Sequence, residues 1–429
     1  MHDIWAAGSC PAYIRVPDAL QQLSPLTDAP DTPTTAPALQ PGRRLKVLQL
    51  TDRVGTHGGA EHLTMQIAER LDPARFESIV CATRFSPSEQ EKQTVLEAAE
   101  ALERVGVRFL GLNRHTRAHV WAWRPLVQLL RRERVDVIHA HKFGSNIWGV
   151  VFGRLCGVPV VVTHEHGWSF EGRAKMIIDR ELIARGSNAF IAVSREDRRR
   201  MIELERIKPE RAVFVANGIP ALPPPSGRDV RAELGIAEDD LVVTTVGFLR
   251  QPKAMDVLIE AAARLVPRFP RLRVLIVGEG ADRPVYEALI DRLGVGDKVK
   301  LLGLRSDVPD LLAKTDVAVL STNSEGSPLS VMEFMDAGLP VVGTRVGGIP
   351  DLIDDGVEGL LVEPRDPAGL AEAIARLLDD PVEARRMGER GRERRRREFD
   401  IDVMVRNLEN LYLDLYAASD RGRWAQVSK

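Results

Sequence analysis

The stretch IPALPPPSGRD, residues 219–229, follows Asn217-Gly218 and divides the sequence into two halves that repeat one pattern. Each proline fixes φ and lacks an N–H, so the stretch suits neither a helix interior nor an inner strand and reads as an interdomain linker. On its N-terminal side, seven apolar runs of strand length alternate with helical stretches: LKVLQL (45–50), FESIVCATR (76–84), VRFLGL (107–112), VDVIHAH (135–141), PVVVTHEH (159–166), AFIAVS (189–194) and AVFVANG (212–218). In the helical stretch after the first run, Ala60, Leu63, Ile67 and Leu71 share one face. On its C-terminal side the pattern resumes six times: LVVTTVG (241–247), RVLIVGEG (273–280), KVKLLG (298–303), DVAVLST (316–322), PVVGT (340–344) and GLLVEP (359–364). Continuous Val/Ile/Leu runs alternating with helices predict parallel sheets covered on both faces. Two such series give an α/β protein of two doubly wound domains facing a cleft, with functional loops directly after the strands.

Bulk properties narrow the function. The 429 residues are 44% apolar and 28% charged, enough for two ordinary cores. With 59 basic and 61 acidic side chains, a net charge of −2 gives no global field favouring nucleic acid. Cys10, Cys81 and Cys156 lack metal-ligand spacing and fit a reducing cytosol. The N-terminus has neither the basic start nor the apolar run of a secretory signal, and no window reaches the ~18–20 apolar residues of a membrane span. A cytoplasmic protein is expected. Residues 18–43, rich in Pro, Thr and Ala, read as a flexible extension.

Several post-strand loops carry chemistry. TDRVGTHGGAE (51–61) brings Gly55, Gly58 and Gly59 to a helix start, where backbone can approach an anion. Its spacing is not G-x-G-x-x-G, which weakens a nicotinamide or flavin reading. HAH (139–141) and HEH (164–166) close two strands, and residues i and i+2 of a strand point the same way. Either pair could therefore ligate a metal, so a metal-dependent hydrolase is the rival reading. It lacks later ligands, because all nine histidines precede residue 167. The plainer alternative makes His139 and His164 structural, with His141 or His166 lining the cleft. Arg250 and Lys253, after the strand 241–247, suit a diphosphate as fork and point charge.

The richest stretch is SEGSPLSVMEFMDAGLPVV (324–342). Pro328 is placed to be the first residue of a helix that stops at Gly338. Glu325 then lies in the loop before the helix and Glu333 about one and a half turns inside it. The amides of Gly326, Ser327 and Leu329 sit between them at the positive end of the helix dipole. Carboxylates on either side of a phosphate cradle match a nucleotide-sugar, whose hydroxyls flank a diphosphate.

From about residue 45 to 418 the chain resembles a retaining glycosyltransferase of family 4. The resemblance is carried in family order by GGAEH (58–62), HEHGW (164–168), VSREDRRRMIE (193–203), VANGI (215–219), VGFLRQPKAMDVLIEA (246–261), LIVGEG (275–280), LGLRSDVPDLL (302–312) and the two-glutamate stretch with VGGIPDLI (346–353). It implies the GT-B fold, divided as extension 1–43, acceptor-side domain 44–219, linker 220–228, nucleotide-sugar-binding domain 229–400, a helix 401–418 crossing back to the first domain, and tail 419–429. It assigns Glu333 to the ribose, Glu325 to the donor-sugar hydroxyls, Arg250 and Lys253 to the diphosphate, and the backbone at Leu304 and Arg305 to the base. Gly58 and Gly59 would approach the phosphate and acceptor side, Gly247, Gly326, Ser327, Pro328 and Leu329 would complete the donor site, and His166 matches the cleft histidine. Two positions depart from the family: Phe248 stands where arginine is usual, with Arg250 supplying the charge, and Ala254 follows Lys253 where glycine is usual.

The implied partners are a UDP- or GDP-sugar donor and a glycan, lipid-linked or small-molecule acceptor, with retention of configuration and neither cofactor nor metal. Glu165 remains open as a nucleophile. A third reading, a non-catalytic nucleotide-sugar-binding protein, is opposed by the joint presence of Glu325, Glu333, Lys253 and His166. GLNRHTRAHVWAWRP (111–125) is the best acceptor-facing loop, with an ordinary helix start its equal alternative. The run RRMGERGRERRRREF (385–399) reads as a solvated helical face laced with i,i+4 pairs. Peripheral contact with the cytoplasmic membrane face stays open.

Overall fold

All thirteen apolar runs are strands, and every pairing between them is parallel. The computed structural model describes residues 42–55, 58–84, 89–112, 114, 120–167 and 172–419, which lie in one packed unit. All but the last two residues of the expected extension, most of the tail, Thr56, His57, Trp168 and most of the 113–119 segment lie outside the described residues, and Arg43 at the extension's end pairs with Asp136 (3.1 Å).

The first sheet contains β1 (Leu45–Thr51), β2 (Phe76–Ala82), β3 (Arg108–Gly111), β4 (Val137–His141), β5 (Val160–Glu165), β6 (Ala189–Ala192) and β7 (Ala212–Phe214), in the order β3-β2-β1-β4-β5-β6-β7. The second contains β8 (Leu241–Val246), β9 (Leu272–Val277), β10 (Val299–Gly303), β11 (Val317–Leu320), β12 (Val341–Thr344) and β13 (Gly359–Val362), in the order β10-β9-β8-β11-β12-β13. Each order reverses beside its first strand, so crevices open beyond β1/β4 and β8/β11. Two Rossmann-like sheets in series constitute the expected GT-B architecture.

The cores follow from the strand composition. Leu48, Leu50, Ile79 and Ile138 pack on Leu126 and Trp123 on one face of the first sheet, while Val80 and Ala82 meet Ala68, Val95 and Leu102 on the other. In the second domain Val243, Val274 and Ile276 meet Leu258, Ile259 and Ile374. Each such side chain contributes roughly 1.5–3 kcal/mol on burial.

Trp123 is thus a core residue, lying against Trp148 and Phe152 with Arg114 over its ring, whereas Trp121 is 83% exposed. Of the two tryptophans in the suggested acceptor loop, only Trp121 offers a free aromatic face.

Residues 220–229 have no regular structure but are not loose. Leu222 N donates to Asp336 Oδ2 (2.7 Å) and Ser226 N to Asp310 Oδ1 (2.7 Å). The basic run forms the end of helix Pro381–Glu398, and its reading as a wholly solvated face is corrected. Arg392 donates to the carbonyls of Asp336 and Ala337, closing the C-terminus of helix Leu329–Asp336. Arg395 is 1% exposed, paired with Asp336 and Asp400 and donating to Ile219 O. Only a buried cation with this many partners is tolerable in a core.

Helix Ile401–Ala418 lies on the first domain. Its buried stripe runs through Ile401, Val405, Leu408, Tyr412 and Tyr416, with Leu415 half-buried at its margin. Glu409 accepts from Asp72 N (2.7 Å), and the Tyr412 ring meets Phe76 edge-on. Among the described residues, no helix is long and apolar enough to cross a membrane.

Candidate active site

The strand ends build the site from both sides. β8 ends at Val246, and Gly247 N donates to Val277 O (2.9 Å), continuing the sheet into the loop. A single 3-10 turn, Gln251–Lys253, then aims the Lys253 ammonium at Glu325, and Lys253 Nζ donates to Glu325 Oε1. Ala254, buried and at φ +49°, ψ +45°, ends that turn in the left-handed region that glycine favours. The Cβ it carries there costs about 1–2 kcal/mol, so the chain keeps the glycine conformation without the glycine.

Arg250 takes a different position from Lys253. It is exposed, with its guanidinium over the exposed Phe248 ring (5.6 Å to the centroid), and no hydrogen bond links it to Glu325 among the described residues. Leu304 is 66% exposed and Arg305 is held by Asp307 (2.6 Å), which leaves the backbone between them open at the edge of the second sheet.

The helix after β11 spans Leu329–Asp336. Pro328 is its N-cap, with ψ +116°, so the expected placement of Pro328 as first helical residue moves by one. Gly326 and Ser327 form a bend that leads through Pro328 into the helix. A Cβ on Gly326 would lie 2.6 Å from Gly167 Cα and 2.8 Å from His166 O. Glycine is therefore what lets the two domains touch here. Gly347, at φ +53°, backs the same loop: its Cβ would lie 1.7 Å from Glu325 O. Glu333 is half-buried, and burial pushes its carboxyl up to about 7, with no cation paired to it among the described residues.

On the facing domain, Gly58 caps helix Gly59–Arg70, and a Cβ on Gly59 would lie 3.3 Å from Leu329 Cδ1. Lys142, directly after β4, adopts φ +67° and donates to Glu61 Oε1. Asp52, directly after β1, accepts from Thr83 (2.9 Å) and Ser145 (3.0 Å). More contacts bridge the cleft: Asn217 Nδ2 donates to Ser327 O (3.3 Å), and Arg195 N to Asp351 Oδ2 (2.7 Å).

The four strand-end histidines form one column. His139 Nδ1 meets Tyr412 OH (2.6 Å) and its Nε2 meets His164 Nδ1 (3.2 Å). His141 Nδ1 meets His166 Nε2 (3.0 Å) and its Nε2 meets Gln49 Oε1 (2.8 Å). Burial holds His139, His141 and His166 well below the usual imidazole range and lowers His164 to about 3. His139, His141 and His164 can bring one nitrogen each within 4.8 Å of one another. Both nitrogens of His139 and His141 are spent on neighbouring side chains, however, and among the described residues no carboxylate joins the group. The column therefore fits a hydrogen-bonded core better than a metal hydrolase. His139, His141 and His164 are fully buried, and His166 reaches the cleft.

Strand alternation turns Glu165 away from His164 and His166. Burial raises its carboxyl to about 8, opposed by Lys175, whose ammonium lies 3.7 Å away and also donates to Asp179 (2.7 Å). Glu165 is thus committed to a buried ion cluster. Asn217, Ser194, Asp351 and Lys142 had no assigned role in the sequence. Three of them lie within motifs that carried the resemblance, and a lysine directly after HAH was the overlooked signal for the fourth.

Comparison with known proteins agrees with this fold. Residues 57–221 match the family described as Glycosyltransferase Family 4, and residues 227–394 that described as Glycosyl transferases group 1. The chain is 28% identical over 304 residues to the Escherichia coli UDP-Gal:alpha-D-GlcNAc-diphosphoundecaprenol alpha-1,3-galactosyltransferase, covering 68% of this chain and 78% of that one. It is also 28% identical over 404 residues to the D-inositol 3-phosphate glycosyltransferase of Thermobifida fusca, covering 85% and 92%. Its fold matches that of Anabaena HepE, solved in complex with UDP-glucose, at a TM-score of 0.73 and 24% identity over 86% of this chain and 99% of that one.

Proposed function

This chain belongs to the family 4 glycosyltransferases, and on that footing we propose that it moves a sugar from a UDP- or GDP-sugar to a glycan, lipid-linked or small-molecule acceptor, with retention and without a metal. One observation carries the reading. Lys253, Glu325, the Gly326 loop and His166 meet where the two domains touch.

In this reading the diphosphate lies against Lys253 and the amides leading into helix Leu329–Asp336, with Arg250 swinging in from the surface. Cleaving the anomeric C–O bond leaves negative charge on the diphosphate, and those groups stabilise it more in the transition state than before it. Charge neutralisation by side chains and a helix terminus is what makes a divalent ion unnecessary. Glu333 accepts from the ribose hydroxyls and Glu325 from the sugar, exchanging Lys253 for donor hydroxyls. Leu304 and Arg305 offer backbone to the base, and Gly247 keeps the strand end open. Gly58 and Gly59 lie on the acceptor side. Both relatives' named substrates carry phosphate, which supports an acceptor with an anionic group near Lys142. The burial of Glu165 favours same-face attack over a covalent intermediate. A lipid-linked acceptor would bring the protein to the cytoplasmic membrane face.

The test is thermal stabilisation by UDP-, GDP- and ADP-sugars. At about 100 times Kd a ligand adds ~2.7 kcal/mol of stability. One nucleotide class should raise Tm in the wild type and not in Glu333→Ala or Lys253→Ala; stabilisation by zinc and by no sugar nucleotide would sink the reading. Retention is read from the anomeric coupling of the product by NMR, and an inverted product would refute it.

A further inference from the structure

We propose that Asp336 is a positioning residue: with the buried Arg395 it joins the base of the donor-site helix to both segments that cross between the domains, so that helix and crossings move as one body. What the helix holds rests on the transferase reading; the joint itself does not.

Helix Leu329–Asp336 carries Glu333, and the Gly326 loop leads into it. Asp336 is its last residue, where the helix dipole is negative and a carboxylate is disfavoured. The side chain is also only 9% exposed, so it has lost most of its water. A charge set against the dipole and out of solvent needs partners of its own. Two come from outside the helix. Leu222 N, in the first crossing, donates to Oδ2 (2.7 Å), and Arg395 Nε lies 3.4 Å from Oδ1.

Arg395 carries the connection onward. Its guanidinium also donates to Asp400 Oδ2 (3.0 Å) in the second crossing and to Ile219 O in the first. The crossings are joined to each other as well: Ile219 N donates to Phe399 O (3.0 Å) and Ile401 N to Ile219 O (3.0 Å). A Cβ on Gly218 would lie 2.6 Å from Asp400 O, so glycine is what lets them meet. Apolar packing repeats the pattern, since Ile219 and Phe399 share one buried cluster with Phe334 and Met335 of the helix. On the side of the first domain, Val215 N still donates to Ala192 O of β6 (3.1 Å). Residues 216–218 lie between these two anchors, and Asn217 among them donates to Ser327 O at the front of the helix (3.3 Å). A movement at the crossings therefore reaches the donor helix at both ends, through Asn217 in front and Asp336 behind.

The partners' chemistry selects the variant. Leu222 N–H and the Arg395 guanidinium are both donors, and a carboxylate offers each an oxygen. Asp336→Asn keeps the shape but has a single oxygen, so one of the two joints is lost. Hydrogen exchange of the full chain, read by mass spectrometry, tests this without a ligand. In the wild type, peptides spanning 217–222, 333–337 and 399–403 should exchange as one cooperative unit. Asp336→Asn should speed exchange about tenfold or more in all three, with the sheet peptide 272–277 unchanged. With the sugar nucleotide that stabilises the protein, it should lower kcat for donor turnover about tenfold while KM changes less than about threefold. Exchange unchanged or faster at 333–337 alone, or kcat within about twofold of wild type, would overturn the inference. So would wild-type peptides that exchange independently, a comparison that needs no variant to fold. If no sugar nucleotide binds, the transferase reading fails while exchange still decides the joint.

Discussion

Glu333 and Glu325 lie eight residues apart in the sequence, yet their surroundings differ. Glu325 has Lys253 for a partner, while Glu333 is desolvated, has no cation partner among the described residues and is raised to about 7. Such a carboxylate lacks donors that a ribose diol would supply. The folded pKa lies above the ordinary value, so free Glu333 contributes stability at low pH that is lost as pH rises through about 7. Donor hydroxyls favour its charged form, so donor binding releases a proton. Donor affinity should therefore rise with pH between about 6 and 8, and Glu333→Gln should flatten that rise; calorimetric Kd values across the range check it, and a parallel slope in the variant would contradict it. The two-glutamate spacing was legible in the sequence because it is local. The environment of each carboxylate was not, because the residues that make it are distant in the chain.

At the scale of elements, strands announced themselves well and side-chain direction less so. All thirteen apolar runs became strands, since continuous Val/Ile/Leu runs have few other homes. Two His-x-His pairs looked alike as metal ligands and as core residues until β4 and β5 were paired in register, His141 beside His164. The basic helix was legible as a charged run, yet Arg392, Arg394 and Arg395 turn inward to partners 36 to 176 residues away. Local i,i+4 reasoning cannot see such partners. The histidine column carries its own prediction. Each of its four rings has a folded pKa below the unfolded value near 6.5, so its contribution to stability is whole above that pH and declines below it, by about 1.4 kcal/mol per pH unit per ring. Glu165 and Glu333, both raised, act in the opposite direction and partly mask the loss. Ring NMR separates them: the four histidines should keep flat shifts between pH 8 and 5.5. A midpoint above 6 for any of the four would contradict their neutrality.

For the whole molecule, the proline-rich break told the most, since it divided one long β/α series into two sheets. The cleft between them was legible as a place and not as a set of contacts. Asn217 to Ser327, Arg195 to Asp351 and Gly167 against Gly326 each join residues more than a hundred positions apart. Their place is apparent only once both sheets exist: they hold the Gly326 loop of one domain against the other. We propose that the cleft breaks a sugar–diphosphate bond using its own cations. The most direct measurement is release of nucleoside diphosphate from the stabilising sugar nucleotide, in excess EDTA, by the wild type and by Lys253→Ala. Turnover should survive EDTA and fall by about 10²-fold or more in Lys253→Ala. Turnover abolished by EDTA, or unchanged without Lys253, would contradict it.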